Sequence, residues 1–202
     1  MSESANLVFS LDPGSQRSGW AVMGPEQRLI EAGLLLPGRT RDDAAERIRA
    51  MKQDLLMLLE QYQPDVIVME WTSGKVVRSR HGGGGAGLPI YGVAVGALWQ
   101  VCEQWAGRCC LAENPCQVVL IPENEWTAGR PKFGPSKRRR FGPSRVGIIA
   151  GMFKEYDREK DPGGDVADAI GLNLYYQRQQ WYAAWKNQHP AGPARPRGKG
   201  KK

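Results

Sequence analysis

LVFSLDPGSQRSGWAVMG, residues 7–24, is the stretch whose reading decides the fold. An apolar run ends in Asp12, a Pro13-Gly14 turn follows, and a second apolar run occupies SGWAVMG at 18–24. Two such runs joined by a short turn predict paired antiparallel strands over 6–12 and 18–24. RLIEAGLLL at 28–36 follows closely and predicts a third strand, completing a meander. Helical periodicity places Ile48, Met51, Leu55, Leu58 and Leu59 on one face of a helix over 41–62, with Thr40 as its N-cap. The apolar run at 65–70 predicts a strand covered on both faces and parallel to the first. A helix over 88–105 carries Gly92 and Gly96 four apart, a spacing that permits close approach of another element. A fifth strand is expected at 116–121 and helices at 144–156 and 164–186, with loop between 128 and 144. The order predicts an α/β fold with a five-stranded mixed sheet, three antiparallel strands and then two parallel, flanked by helices.

A chain of 202 residues with 41% hydrophobic content fits one domain with tails. We expect that domain over 1–186 and a disordered basic tail over 187–202, where Pro, Gly, Lys and Arg replace any apolar period. The net charge of +7 and a pI near 9.4 favour a polyanionic partner. Cys102, Cys109, Cys110 and Cys116 lack paired CxxC spacing, which argues against zinc and for free thiols in a reducing interior. Neither a secretory signal nor a membrane-spanning stretch is visible. The expectation is a cytoplasmic, nucleoid-associated protein, or one in the host cytoplasm if the chain is virus-encoded.

Four carboxylates stand where packed elements end. Asp12 closes the first strand and Glu70 closes VIVME; Asp165 and Asp168 open the apolar helix DVADAIGLNLYY. Each has a plain structural use. Asp12 can form a turn, Glu70 can reach solvent from a strand edge, and Asp165 can cap a helix after Gly163-Gly164. Asp168 is harder to explain so, because Leu172 and Tyr175 continue its stripe. Unpaired carboxylates are costly to bury, and a divalent cation is one of the few things that offsets that cost. Mg²⁺ prefers oxygen ligands and works beside substrate phosphates. Two such ions about 3.5–4 Å apart clamp the attacking and leaving oxygens of an in-line displacement. The acids therefore point to phosphodiester hydrolysis with Mg²⁺ or Mn²⁺, two ions per site.

DPGSQRSGWAV, a strand ending in Glu70, and DVADAIGL, taken in that order, resemble the RuvC-type Holliday-junction resolvases of the RNase H-like superfamily. The resemblance spans roughly residues 6–178. It extends to a Gly-rich segment after the Glu70 strand and to Pro122-x-x-x-Trp126 after the fifth strand. It implies an RNase H-like fold, with Asp12, Glu70, Asp165 and Asp168 as metal-binding catalytic acids. It also implies a homodimer that resolves four-way DNA junctions by paired symmetric nicks in recombination and repair. The family often places a basic residue near the helix of the last acids; Lys137, Arg138, Arg139, Arg140 and Arg145 are all candidates here.

Basic residues form three groups. Lys75, Arg78 and Arg80 flank the glycine loop at 81–87, where Gly83 and Gly84 let backbone N–H groups approach a strand. Lys132, Lys137, Arg138, Arg139, Arg140 and Arg145 form the second group, a DNA-gripping loop or a solvated charge run. The tail, with Arg195, Arg197, Lys199, Lys201 and Lys202, reads as a nonspecific electrostatic arm. Trp71 reads as core, and Phe133 or Phe141 as a possible base wedge. Competing readings are an RNA-processing, YqgF-like nuclease on the same fold and a noncatalytic junction binder. An actin-like ATP module needs a second domain and a second phosphate turn, which this chain lacks.

Overall fold

The computed structural model describes residues 7–35, 43–71, 87–111, 115–127 and 145–188. Its strands are β1 (Val8–Asp12), β2 (Ser18–Met23), β3 (Leu29–Leu35), β4 (Val66–Trp71) and β5 (Gln117–Pro122). Its helices are α1 (Ala44–Tyr62), α2 (Gly87–Leu111), α3 (Glu123–Trp126), α4 (Arg145–Ala150) and α5 (Asp165–Gln188). The strands form one mixed sheet in the order β3-β2-β1-β4-β5. β1, β2 and β3 pair antiparallel, and β4 runs parallel to both β1 and β5, as the sequence predicts.

Strand alternation sorts the side chains into two layers. Phe9, Leu11, Trp20, Val22, Ile67 and Met69 share one face, where they pack with Met51, Leu55 and Leu59 of α1 and Leu98 and Val101 of α2. Phe9 and Trp20 stack there with ring centroids 5.9 Å apart. The opposite face carries Ala21 and Met23 against Ala167 and Ile170 of α5. Val8, Val66 and Val68 meet Leu172 and Tyr176 of the same helix. β1 and β4 are thus covered on both sides, which is why their sequences read as continuous apolar runs.

Several expectations need correction. Asp43, not Thr40, caps α1; its carboxylate accepts a 2.7 Å bond from the Ala45 N–H. Thr40 lies outside the described residues. α2 continues six residues past 105, because AGRCCL offers no breaker at its end. The helix expected over 144–156 stops at Ala150, and Gly151 opens a series of turns. A Cβ at Gly92 or Gly96 would meet nothing within 4 Å, so no element of the described chain approaches α2 there. Trp71 is 38% exposed and packs edge-on against Trp99, rather than in the core.

All four cysteines are free. Burial pushes the thiols of Cys102 and Cys116 up to about 12, so they stay protonated at neutral pH. Among the described residues, no helix is long and apolar enough to cross a membrane.

Candidate active site

Leu11 of β1 sits beside Met69 of β4 in the parallel ladder, and continuing that register by one residue sets Asp12 beside Glu70. Adjacent strands lie about 4.8 Å apart. Alternation then puts both carboxylates on the face that carries Val8, Val66 and Val68, the face covered by α5. This is the carboxyl end of two parallel strands, where open α/β sheets place their ligands.

α5 brings the other two acids to the same end. The Ser10 hydroxyl donates to the Ala169 carbonyl at 2.8 Å, and Asn173 donates to the Val8 carbonyl at 2.9 Å. The helix therefore runs antiparallel to β1, with its first turn lying beside Asp12. Gly19, directly across the ladder from Asp12, makes this approach possible. A Cβ at Gly19 would overlap the Asp165 carbonyl, so only glycine lets the helix start lie against the sheet.

Each acid is held differently. Glu70 is only 2% exposed, and the Trp126 indole N–H donates to its Oε2 at 2.9 Å. Asp12 and Asp168 are half-buried. Asp165 is ion-paired through Oδ2 to the Arg17 guanidinium, with both side chains about one-third exposed. Gly163 leaves room for that guanidinium, since a Cβ there would overlap both Arg17 and the Asp165 carboxylate.

Asp161 holds the helix start itself. Its carboxylate is buried and accepts from Val166 N–H at 3.2 Å and Ala167 N–H at 3.0 Å. It also accepts from the Tyr156 hydroxyl at 3.0 Å. Burial first, and then the Asp161 charge, push the Tyr156 hydroxyl well above its ordinary range, so it remains a donor. Asp168 adds to the same upward push. Glu123, buried at the start of α3, is a further carboxylate beyond the end of β5.

An all-oxygen, all-carboxylate donor set suits a hard divalent cation. Among the described residues, however, no three His, Cys, Asp or Glu side chains are gathered closely enough to hold an ion as they stand. Asp165 is turned to Arg17 instead. The chemistry of the donors fits the metal, and the four acids share one end and one face of the sheet.

Known structures share this architecture. Thermus thermophilus RuvC in complex with a Holliday junction substrate superimposes with a TM-score of 0.55 at 17% identity, over 86% of this chain and 96% of that one. A second Thermus thermophilus RuvC structure gives 0.52 at 17% identity over the same shares. The chain has the RuvC fold. The yeast mitochondrial Holliday junction resolvase Ydc2 gives 0.49 at 14% identity, over 90% of this chain and 85% of that one. Neither protein-family models nor curated protein sequences match the chain.

Within this RuvC fold, Arg17 and Asp161 escaped the sequence reading, and Trp126 was noted only as part of a motif. Asp161 opens DPGGD, which repeats the DPG of residues 12–14, so a signal was present. Lys75, Arg78, Arg80, Gly83, Gly84, Lys132, Lys137, Arg138, Arg139 and Arg140 lie outside the described residues, as do Phe133 and Phe141. Arg145 opens α4.

Proposed function

We propose that this chain is a divalent-metal-dependent, structure-specific endonuclease that resolves four-way DNA junctions by paired symmetric nicks, acting as a homodimer. One observation carries the reading: Asp12 and Glu70 stand side by side at the carboxyl ends of adjacent parallel strands, on the face where α5 delivers Asp165 and Asp168. The RuvC fold agrees with it.

Asp12, Glu70, Asp165 and Asp168 would hold the metal. When bound, divalent ions supply Lewis acidity toward a phosphodiester and the water that attacks it. The protein's own part is placement. Trp126 fixes one oxygen of Glu70, Asp161 fixes the first turn of α5, and Gly19 sets that turn against β1. Glu70 is thus held in advance, whereas Asp165 would have to leave Arg17 to reach a metal. Lys75, Arg78, Arg80 and the basic loop from Lys132 to Arg145 would supply sequence-independent phosphate contacts. A C2 dimer is the simplest arrangement that presents two such sites to two strands.

The test uses labelled four-way junction, linear duplex and RNA hairpin, with and without Mg²⁺ or Mn²⁺. We expect metal-dependent nicking of the junction alone. Asp12→Asn, Glu70→Gln and Asp168→Asn should each abolish nicking while leaving junction binding largely intact. Preference for the RNA hairpin would move the chain to RNA processing, and normal nicking by two of the three variants would sink the site. Sedimentation at micromolar concentration reads the dimer directly.

A further inference from the structure

The positive charge of this chain is not spread evenly. Residues 1–168 hold 21 Lys and Arg against 21 Asp and Glu, and so are neutral. The last 34 residues hold seven Lys and Arg and no acid, so they account for the whole net charge of +7. Two of the seven, Arg178 and Lys186, lie within α5.

That end of α5 leaves the body of the protein. Tyr176 is its last buried residue, and every residue from Arg178 to Gln188 is exposed. Three large aromatics nevertheless stand there: Trp181 at 65% exposure, Tyr182 at 52% and Trp185 at 43%. Tyr182 and Trp185 stack at 6.1 Å between ring centroids and 21° between planes. Helical spacing gathers Arg178, Trp181, Tyr182, Trp185 and Lys186 into one stripe about 140° wide. Gln180, Ala183, Ala184 and Asn187 fill the opposite side. At about 1.5 Å per residue, Trp181 lies roughly 24 Å along the helix from Asp165, so this stripe is remote from the acids.

Charge complementarity selects a polyanion, and exposed indole and phenol rings select one that offers flat apolar faces. Single-stranded nucleic acid has both, because its bases are free to stack on aromatic side chains. Duplex DNA hides those faces within its own stack. We propose that the stripe of Arg178, Trp181, Tyr182, Trp185 and Lys186 at the C-terminal end of α5 is a binding surface for single-stranded DNA, separate from the acid cluster. It does not depend on the nuclease reading.

The test uses the full chain in EDTA and fluorescence anisotropy with dye-labelled oligo(dT) of about 12 nucleotides, a length within the site sizes of known single-strand binders. A duplex of equal length and vesicles containing anionic lipid are run in parallel. Trp181→Ala combined with Trp185→Ala should weaken oligo(dT) binding at least tenfold and change duplex binding less than threefold. Trp181→Phe with Trp185→Phe should retain most of the affinity, since a ring still stacks. Arg178→Gln with Lys186→Gln should flatten the salt slope by about 1.4, the single-strand value for two lost contacts. Binding by the alanine pair equal to wild type would overturn the proposal. So would loss of self-association without loss of oligo(dT) binding, which marks a subunit interface, or binding to the vesicles alone. Both altered surfaces are exposed, so the variants should fold, and circular dichroism checks this.

Discussion

Glu70 shows how one hydrogen bond can set a reactive group. A carboxylate with 2% exposure needs donors, and the Trp126 indole provides one at 2.9 Å. Trp126→Phe keeps the ring's bulk and removes only the N–H. Groups that orient a ligating side chain are worth about 10- to 100-fold in metal affinity or activity. We expect a loss of that size in Mn²⁺ affinity and in nicking, together with a lower melting temperature of the metal-free protein, since a buried acceptor that loses its donor costs about 1–3 kcal/mol. Equal affinity would show that Glu70 is oriented by other means. Asp161 has a different task, since it satisfies two backbone N–H groups at the head of α5. Asp161→Ala should cost about 1–3 kcal/mol in urea unfolding. Asp161→Asn should recover part of that, because an amide oxygen still accepts. The four acids were legible in the sequence because each interrupts or ends an apolar run. Arg17 and Glu123 were not, because the pairing of Arg17 with Asp165 and the burial of Glu123 are set by tertiary packing that no local pattern records; Asp161, whose partners lie within six residues, was signalled only by its repeat of DPG.

Elements were legible where their hydrophobic period was long and unbroken. All five strands fall within two residues of their expected limits, since the runs end at Pro, Gly or charged residues. Helix ends were less so. Thr40 and Asp43 are both competent caps, and only packing decides between them. The expected helix after residue 144 forms but ends at Ala150, because GMFKEYD carries glycine and no apolar stripe. Gly92 and Gly96 meet no element of the described chain, which leaves their face of α2 open to a second copy, since small residues permit a close approach without requiring one. Gly19 is the reverse case, where the approach is real and strict. Gly19→Ala must push the first turn of α5 away from Asp12. A shift of about 1 Å at a reacting centre costs on the order of 100-fold in rate. We therefore expect nicking to fall by about that factor while junction binding, carried by Lys and Arg, holds. Retained nicking with an unchanged fold would mean that the helix start yields at no cost to the site.

At the scale of the molecule, neutral and charged parts divide along the chain. The acids sit in a segment of balanced charge, and the surplus lies in the last 34 residues. The overall pI therefore says little about the surface around the acids, which the sequence reading could not tell from the total. The order of the elements matters in another way. Residues 1–127 contain every strand of the sheet, both helices of one layer, Asp12, Glu70 and Trp126. The helices of the other layer, with Asp165 and Asp168, come from residues 145–188, and Trp126 of α3 packs against them. A polypeptide break between 127 and 145 thus divides the acids two and two without cutting a described strand or helix. Expressed apart, the two pieces should each be silent toward four-way junctions. Co-expressed, they should reassemble through the apolar face of α5 and recover nicking, which a gel assay would read. Recovery would turn this chain into a two-component switch, its activity set by whether the halves meet; no recovery on co-expression, with both pieces present and soluble, would show that the covalent link is needed to seat α5.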